Sequence, residues 1–372
     1  MKLHRLLVFL VFYCAFFTRP ISLLAQSDKL SDSEQARLEA AISRFKAANG
    51  APGISAAVVE HGEYAWSAGF GMADLENEVP ATALTLYRLG SISKPLTAVG
   101  AMQLWEQGKL DLDAPVQKYC PEFPRKETVI TTREVLGHLG GIRHYKSHSP
   151  DDVEVYNVKH FDDPIEAGLR FFENDPLVDK PGHHFHYSTQ GYTLVGCVMQ
   201  GASGESYVAY TRDHVFLPAQ MGETVADDRY AIIHHRTRFY QKTESGQVVN
   251  ADFLDSSYKI PGGGWLSTAG DLARFEVAML KDQLVHRATR DLMWTPLKPA
   301  DGSEDTYGLG WEVRNVAGVS TAGHDGSQQG TSTAFLIAPE QQAGVVVLIN
   351  TEEVKAHDLA TELLKIVLDQ KK

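Results

Sequence analysis

The sequence predicts an α+β protein: an antiparallel sheet built from strands at both ends of the chain, flanked by terminal helices, with a second, mostly helical lobe between them. Three observations carry this. Strand-like runs gather at the two ends, each end also carries an amphipathic helix, and the long middle alternates helical stretches with polar loops. The sheet lobe is expected over about 31–90 and 302–372 and the helical lobe over about 91–301, as one domain spanning 26–372.

The first 25 residues read as an export signal. Lys2 and Arg5 precede the apolar run Leu6 to Phe17, and Ala25 fits a small-residue cleavage point. The run is too short to span a bilayer, Arg19 and Pro20 interrupt its extension, and no later segment is apolar enough to be a span. A secreted or periplasmic location is therefore expected. Next, "SDSEQARLEAAISRFKAANG" sets Ser31 and Glu34 in capping-box spacing, Leu38, Ala41, Ile42 and Phe45 on one face, and Gly50 as terminator, which predicts a helix. "ISAAVVE" and "YAWSAGFGM" follow as a hairpin turning through His61-Gly62-Glu63. At the far end, "YGLGWEVR", "TSTAFLIAP" and "AGVVVLIN" read as strands and 356–369 as a closing helix. In between, 92–107, 131–139, 191–201 and 268–281 are helical, and the charged, weakly patterned segment Arg143 to Lys180 is an excursion over the surface or a lid.

Composition narrows the partners. The formal charge is -12, and the leader holds three of the 35 basic residues and none of the 47 acidic ones, so the remainder is more acidic still. Nucleic acid and anionic lipid surfaces are poor partners for such a chain. Beyond the leader, Cys120 and Cys197 permit one disulfide at most; Cys197 lies in the apolar run "YTLVGCVMQ", whose plain reading is a buried free thiol.

Chemistry enters through Ser-x-x-Lys, which occurs three times: Ser43 with Lys46, Ser91 with Lys94, and Ser256 with Lys259. Ser43 sits mid-helix, where its hydroxyl can bond the preceding turn. Ser256 lies in "DFLDSSYKIPGGG", where Pro261 and three glycines exclude a continuing helix, so both copies read as accidents of spacing. Ser91 differs, because Tyr87 to Leu89 is extended in character, Gly90 permits a sharp bend, and Pro95 is tolerated only in a first helical turn. That places Ser91 at a helix N-terminus, where free N–H groups favour developing negative charge, with Lys94 one turn on and on the same face. The following "LTAVGAMQLW" is apolar or small nearly all round, which predicts a buried helix and hence a buried lysine whose charged form is disfavoured. The competing reading is a capping serine beside a snorkelling lysine.

Further along, "PGHHFHYSTQGYTLVG" puts Tyr187, Ser188 and Thr189 in a turn before an apolar helix, and "STAGHDGSQQGTSTAFLIAP" puts His324, Asp325 and Gly326 just before a strand. In this order the motifs resemble those of penicillin-recognising serine hydrolases: class C β-lactamases, D-alanyl-D-alanine peptidases and related esterases. "GHLGGIRHY", "YSTQGYTL", "SSYKIPGGGWLSTAGDLARF" and "YGLGWEV" are similar to the mitochondrial β-lactamase-like branch and its bacterial relatives, over roughly residues 35–370. The resemblance implies a β-lactamase/transpeptidase-like fold and an acyl-enzyme mechanism. Ser91 would be the nucleophile, and Lys94 and Tyr187 would share the proton work. The N–H groups of Ser91 and Ser327 would form the oxyanion hole, with Gly326 letting the strand approach the substrate. Thr189 and His324 would contact substrate, standing where antibiotic hydrolases carry Asn and Lys. Peptides or small amides and esters are therefore the expected substrates, with broad esterase, weak β-lactamase or D-alanyl-D-alanine peptidase activity as the alternative.

The histidine-rich stretches "HHFH", His234-His235 and "RHYKSH" match no metalloprotease helix and no Cys/His zinc spacing, so they read as surface residues, with no metal or cofactor expected. His138 in "GHLGG" is expected to shape a loop. The triple glycine 262–264 lacks the Gly-Lys-Ser/Thr of a phosphate loop and reads as a tightly packed turn. A reading of another class is a binding or assembly-forming protein that keeps the fold, and the resemblance leaves room for a homo-oligomer.

Overall fold

A computed structural model describes residues 30–146, 154, 156–316 and 318–369. The leader and part of the 143–180 excursion lie outside the described residues. Seven antiparallel strands form the main sheet, in the spatial order Val79–Pro80, Glu63–Asp74, Gly53–Glu60, Ala343–Ile349, Thr331–Ala338, Val319–Gln328, Glu312–Val316. The N-terminal hairpin and the C-terminal strands thus meet through Gly53–Glu60 and Ala343–Ile349, with Ala57 opposite Val346.

The alternation of strand side chains divides the core in two. Ile54, Ala56, Val58, Val345 and Val347 face Leu38 and Ile42 of helix Asp32–Asn49 and Leu359 and Leu363 of helix Ala356–Asp369. Ala57, Val59, Val346 and Leu348 face the opposite way, into a larger core shared with the central helices Ser93–Glu106, Thr189–Ser203 and Ala269–Leu280. The helix starts follow the caps in the sequence: Ser31 Oγ accepts from the N–H of Glu34, Ser188 Oγ from that of Gly191, and Thr268 Oγ1 from that of Asp271.

Four expectations change. Strand character near the C-terminal half begins at Glu312, because Gly308 to Trp311 form a turn in which Gly310 takes φ +87°. His324 lies within the ten-residue strand Val319–Gln328 rather than before it. Cys197 is no free thiol: it is bridged to Cys120, Cα to Cα 5.5 Å, tying the 120 loop to helix Thr189–Ser203. Pro261 and the glycines do admit a helical turn, Ile260–Gly263, since proline fits a first turn.

Candidate active site

The site forms where the start of the buried helix meets the edge strand. Tyr87–Arg88 pair with Trp265–Ser267, and the chain then bends at Gly90, φ +54°, into a short 3-10 turn, Gly90–Ile92, that carries Ser91. A side chain on Gly90 would press against the backbone of Gly326 and Ser327, and a Cβ on Gly326 would lie 2.1 Å from Leu89 O. These two facing glycines let the strand pass close to Ser91. Strand Glu312–Val316 pairs only with Val319 to Gly323, so from His324 onward the Val319–Gln328 strand has one neighbour and presents an open edge. Thr333 Oγ1 donates to Leu89 O and Thr331 Oγ1 to Arg88 O, locking this approach. Arg88 is held in turn by buried Asp227, 2.7 Å.

Lys94 is fully buried, in a helix whose residues Ser93 to Leu104 are all buried. Its Nζ lies 2.9 Å from Ser91 Oγ, 2.9 Å from Gly262 O and 3.2 Å from Thr189 Oγ1. Burial, reinforced by the charge of Lys259, drives its pKa well below the usual lysine value, while Glu312 works the other way. Tyr187 is half-buried, its ring centroid 4.7 Å from Lys94 Nζ. Burial raises the phenol pKa well above its usual value, against a hydrogen bond to Ser91 that lowers it, so Tyr187 stays protonated.

The remaining expected residues fall unevenly. Ser327 is exposed at the cleft, with Gly90, Ser91, Thr189, Gly262 and Gln328. Thr189 opens its helix; its N–H donates to His144 Nδ1 and its hydroxyl faces Lys94. His324, only 2 % exposed, lies behind the cleft: Nδ1 meets Asp325 O at 2.6 Å and Nε2 meets the Tyr307 hydroxyl at 2.9 Å. With Nδ1 donating, Nε2 accepts from Tyr307, and burial lowers the ring pKa to about 3, so the imidazole is neutral. His138 takes φ +59°, and its Nδ1 accepts the N–H of Ser188, fixing the backbone beside Tyr187.

Sequence reasoning passed over Lys259. The third Ser-x-x-Lys, set aside as accidental, brings a lysine 4 % exposed to the same cleft as Ser91, its pKa lowered to about 7 by burial and Arg88. The available signal was a lysine inside the otherwise uncharged "SSYKIPGGGW". Tyr307 and Glu312 were also missed; burial raises the Glu312 carboxyl to about 7.

The beta-lactamase family profile matches residues 38–368. The chain is 35% identical over 388 residues to "Serine beta-lactamase-like protein LACTB, mitochondrial" of Homo sapiens, covering 80% of this chain and 71% of that protein. It is 27% identical to penicillin-binding protein 4* of Bacillus subtilis, over 79% of this chain and 67% of that one. Among solved structures, the octameric penicillin-binding protein homologue from Pyrococcus abyssi superposes with a TM-score of 0.78 at 26% identity, covering 90% of this chain and 77% of that one. D-amino acid amidase from Ochrobactrum anthropi, at 21% identity, shares the fold, with a TM-score of 0.80 over 91% of this chain and 100% of the other. The chain belongs to the beta-lactamase family of serine hydrolases.

Proposed function

We propose that the protein hydrolyses a peptide or a small amide or ester through an acyl-enzyme on Ser91. The observation that carries this is the contact between Ser91 Oγ and a buried, weakly basic Lys94. A neutral amine has two N–H groups and one lone pair. Gly262 O and Thr189 Oγ1 take the two N–H groups, which leaves the lone pair for the Ser91 hydroxyl. Lys94 Nζ then accepts the Ser91 proton as Oγ bonds to the substrate carbonyl carbon. The N–H groups of Ser91 and Ser327 receive the oxyanion. Tyr187, protonated and beside both groups, relays the proton from Lys94 to the leaving group, and the reverse relay activates the deacylating water. Thr189 serves here to orient the amine. A neutral His324 steadies Tyr307 behind the site instead of holding a substrate carboxylate, and Lys259, partly protonated near neutral pH with its pKa lowered to about 7, lines the cleft.

Mass spectrometry of the protein quenched during turnover of a p-nitrophenyl ester and of a peptide p-nitroanilide tests this reading. An acyl group on the Ser91 peptide with both substrates is expected, and faster amide turnover separates a peptidase from a broad esterase. An acyl group on a different serine overturns the assignment.

Export is proposed from the leader, and the Cys120–Cys197 disulfide supports an oxidising compartment. Reporter fractionation with and without residues 1–25 checks it: equal cytoplasmic retention in both would contradict export. Among the described residues no helix is long and apolar enough to cross a membrane. The octameric Pyrococcus homologue supports self-association of this chain as well, which sedimentation velocity would detect.

A further inference from the structure

The loop that delivers Tyr187 to the site carries an unusual set of donors. Asp179 Oδ2 faces three imidazoles: it contacts His184 Nδ1 directly, lies 3.3 Å from His186 Nε2, and 3.6 Å from His183 Nδ1. His183 Nδ1 and His184 Nδ1 are themselves only 2.8 Å apart. Ligand atoms of Asp179, His184 and His186 all lie within 4.8 Å of one another. A neutral imidazole offers one N–H and one lone pair, so ring nitrogens that crowd both a carboxylate oxygen and each other suit a cation at their centre better than a hydrogen-bond network. In a tetrahedral zinc site with bonds of about 2.0–2.2 Å, neighbouring ligand atoms stand about 3.4 Å apart, close to the spacing of Asp179 Oδ2 from His186 Nε2.

A second observation points the same way. The far nitrogen of His184, Nε2, is 3.3 Å from Asp301 Oδ2 on a separate loop. A carboxylate behind the non-ligating nitrogen is the outer contact that orients a metal-bound histidine. Backbone bonds hold that loop in place: Ala300 N–H donates to Gly182 O at 2.9 Å and Asp301 N–H to His183 O at 3.3 Å.

We propose that Asp179, His184 and His186 form a binding site for a divalent transition ion, zinc being the best match to this N/N/O donor set, with His183 beside an open fourth position and Asp301 orienting His184. The spacing in sequence hid it, since His184 and His186 are two residues apart in a loop and the carboxylate comes from five residues upstream. The site's place in the fold suggests its use. His186 directly precedes Tyr187, and its N–H donates to His138 O at 2.8 Å, so an ion here staples the segment that sets the phenol's position.

The test uses untagged, chelator-stripped protein titrated with Zn2+ by equilibrium dialysis, with Co2+ as the spectroscopic probe. One equivalent of zinc, a four-coordinate Co2+ absorption band and a zinc-dependent rise in Tm are expected. His184→Ala and Asp179→Asn should lose all three, and Asp301→Asn should weaken binding by about 10–100-fold. These side chains are partly exposed, so the variants should fold, which circular dichroism verifies. Absence of saturable zinc binding by the wild type, or binding that persists at full affinity in both His184→Ala and Asp179→Asn, overturns the proposal.

Discussion

Lys94 is the residue on which the proposed chemistry turns, and its basicity is set by neighbours that can be changed one at a time. Lys259 contributes a positive charge that disfavours a second one on Lys94. Lys259→Met removes that repulsion, so the Lys94 pKa rises and activity is lost at a higher pH on acidification; the acidic limb of the kcat/KM profile should shift upward. An unmoved limb would uncouple the two lysines. Glu276 is a second buried group with a clear sign. It is fully buried in helix Ala269–Leu280, neither carboxylate oxygen has a hydrogen-bond partner among the described residues, and burial raises its pKa well above the ordinary value of 4.5. Its contribution to stability is complete below that value and is lost as pH rises toward the folded pKa. Glu276→Gln, always neutral, should therefore raise Tm more at pH 8 than at pH 5, as thermal melts at the two pH values would show.

At the scale of elements, the site depends on a close crossing that only glycine permits. Gly326→Ala would drive a methyl into Leu89 O and Thr333 Oγ1, pushing the Ser327 N–H off the oxyanion position proposed for it. Loss of one such donor costs about 10²–10³ in kcat, with KM less affected, which steady-state kinetics would separate. The Cys120–Cys197 bridge closes a 77-residue separation and anchors the helix that follows Tyr187. Cys120→Ser/Cys197→Ser should lower unfolding stability by about 2–5 kcal/mol, measured by urea titration. These elements also show what a sequence can and cannot display. Helix starts at Ser31 and Thr268 were legible because capping is local chemistry, and Gly90 with Pro95 marked the bend at Ser91 for the same reason, whereas the helix capped by Ser188 begins at Thr189, two residues before the expected 191. Tyr307 and Glu312 were not legible, since each joins the site only through tertiary packing; Lys259 showed only as a lone charge in an uncharged run, and the disulfide stayed open because two cysteines in different segments carry no local sign of meeting.

Across the whole molecule, the chain's two ends form one sheet, and alternate strand residues serve two cores, one under the terminal helices and one under the central helices. The two-ended layout was readable from the strand runs at both termini; the strand order, with Ala343–Ile349 beside Gly53–Glu60, was not, because pairing partners lie about 290 residues apart. The consequence for function is that no single element buries Lys94. Its dry setting comes from the Gly262 turn, the Thr189 helix and the rings of Tyr187 and Tyr192 together. The most direct test of a neutral Lys94 is the rate at which a fluorophosphonate labels Ser91, followed by peptide mass spectrometry between about pH 5 and pH 10. A lysine with a depressed pKa predicts a rate that reaches its plateau well below the pH of about 10.4 at which an ordinary lysine titrates, and that falls by orders of magnitude in Lys94→Ala. A rate that keeps rising about tenfold per pH unit through pH 10, or that survives Lys94→Ala unchanged, would contradict it.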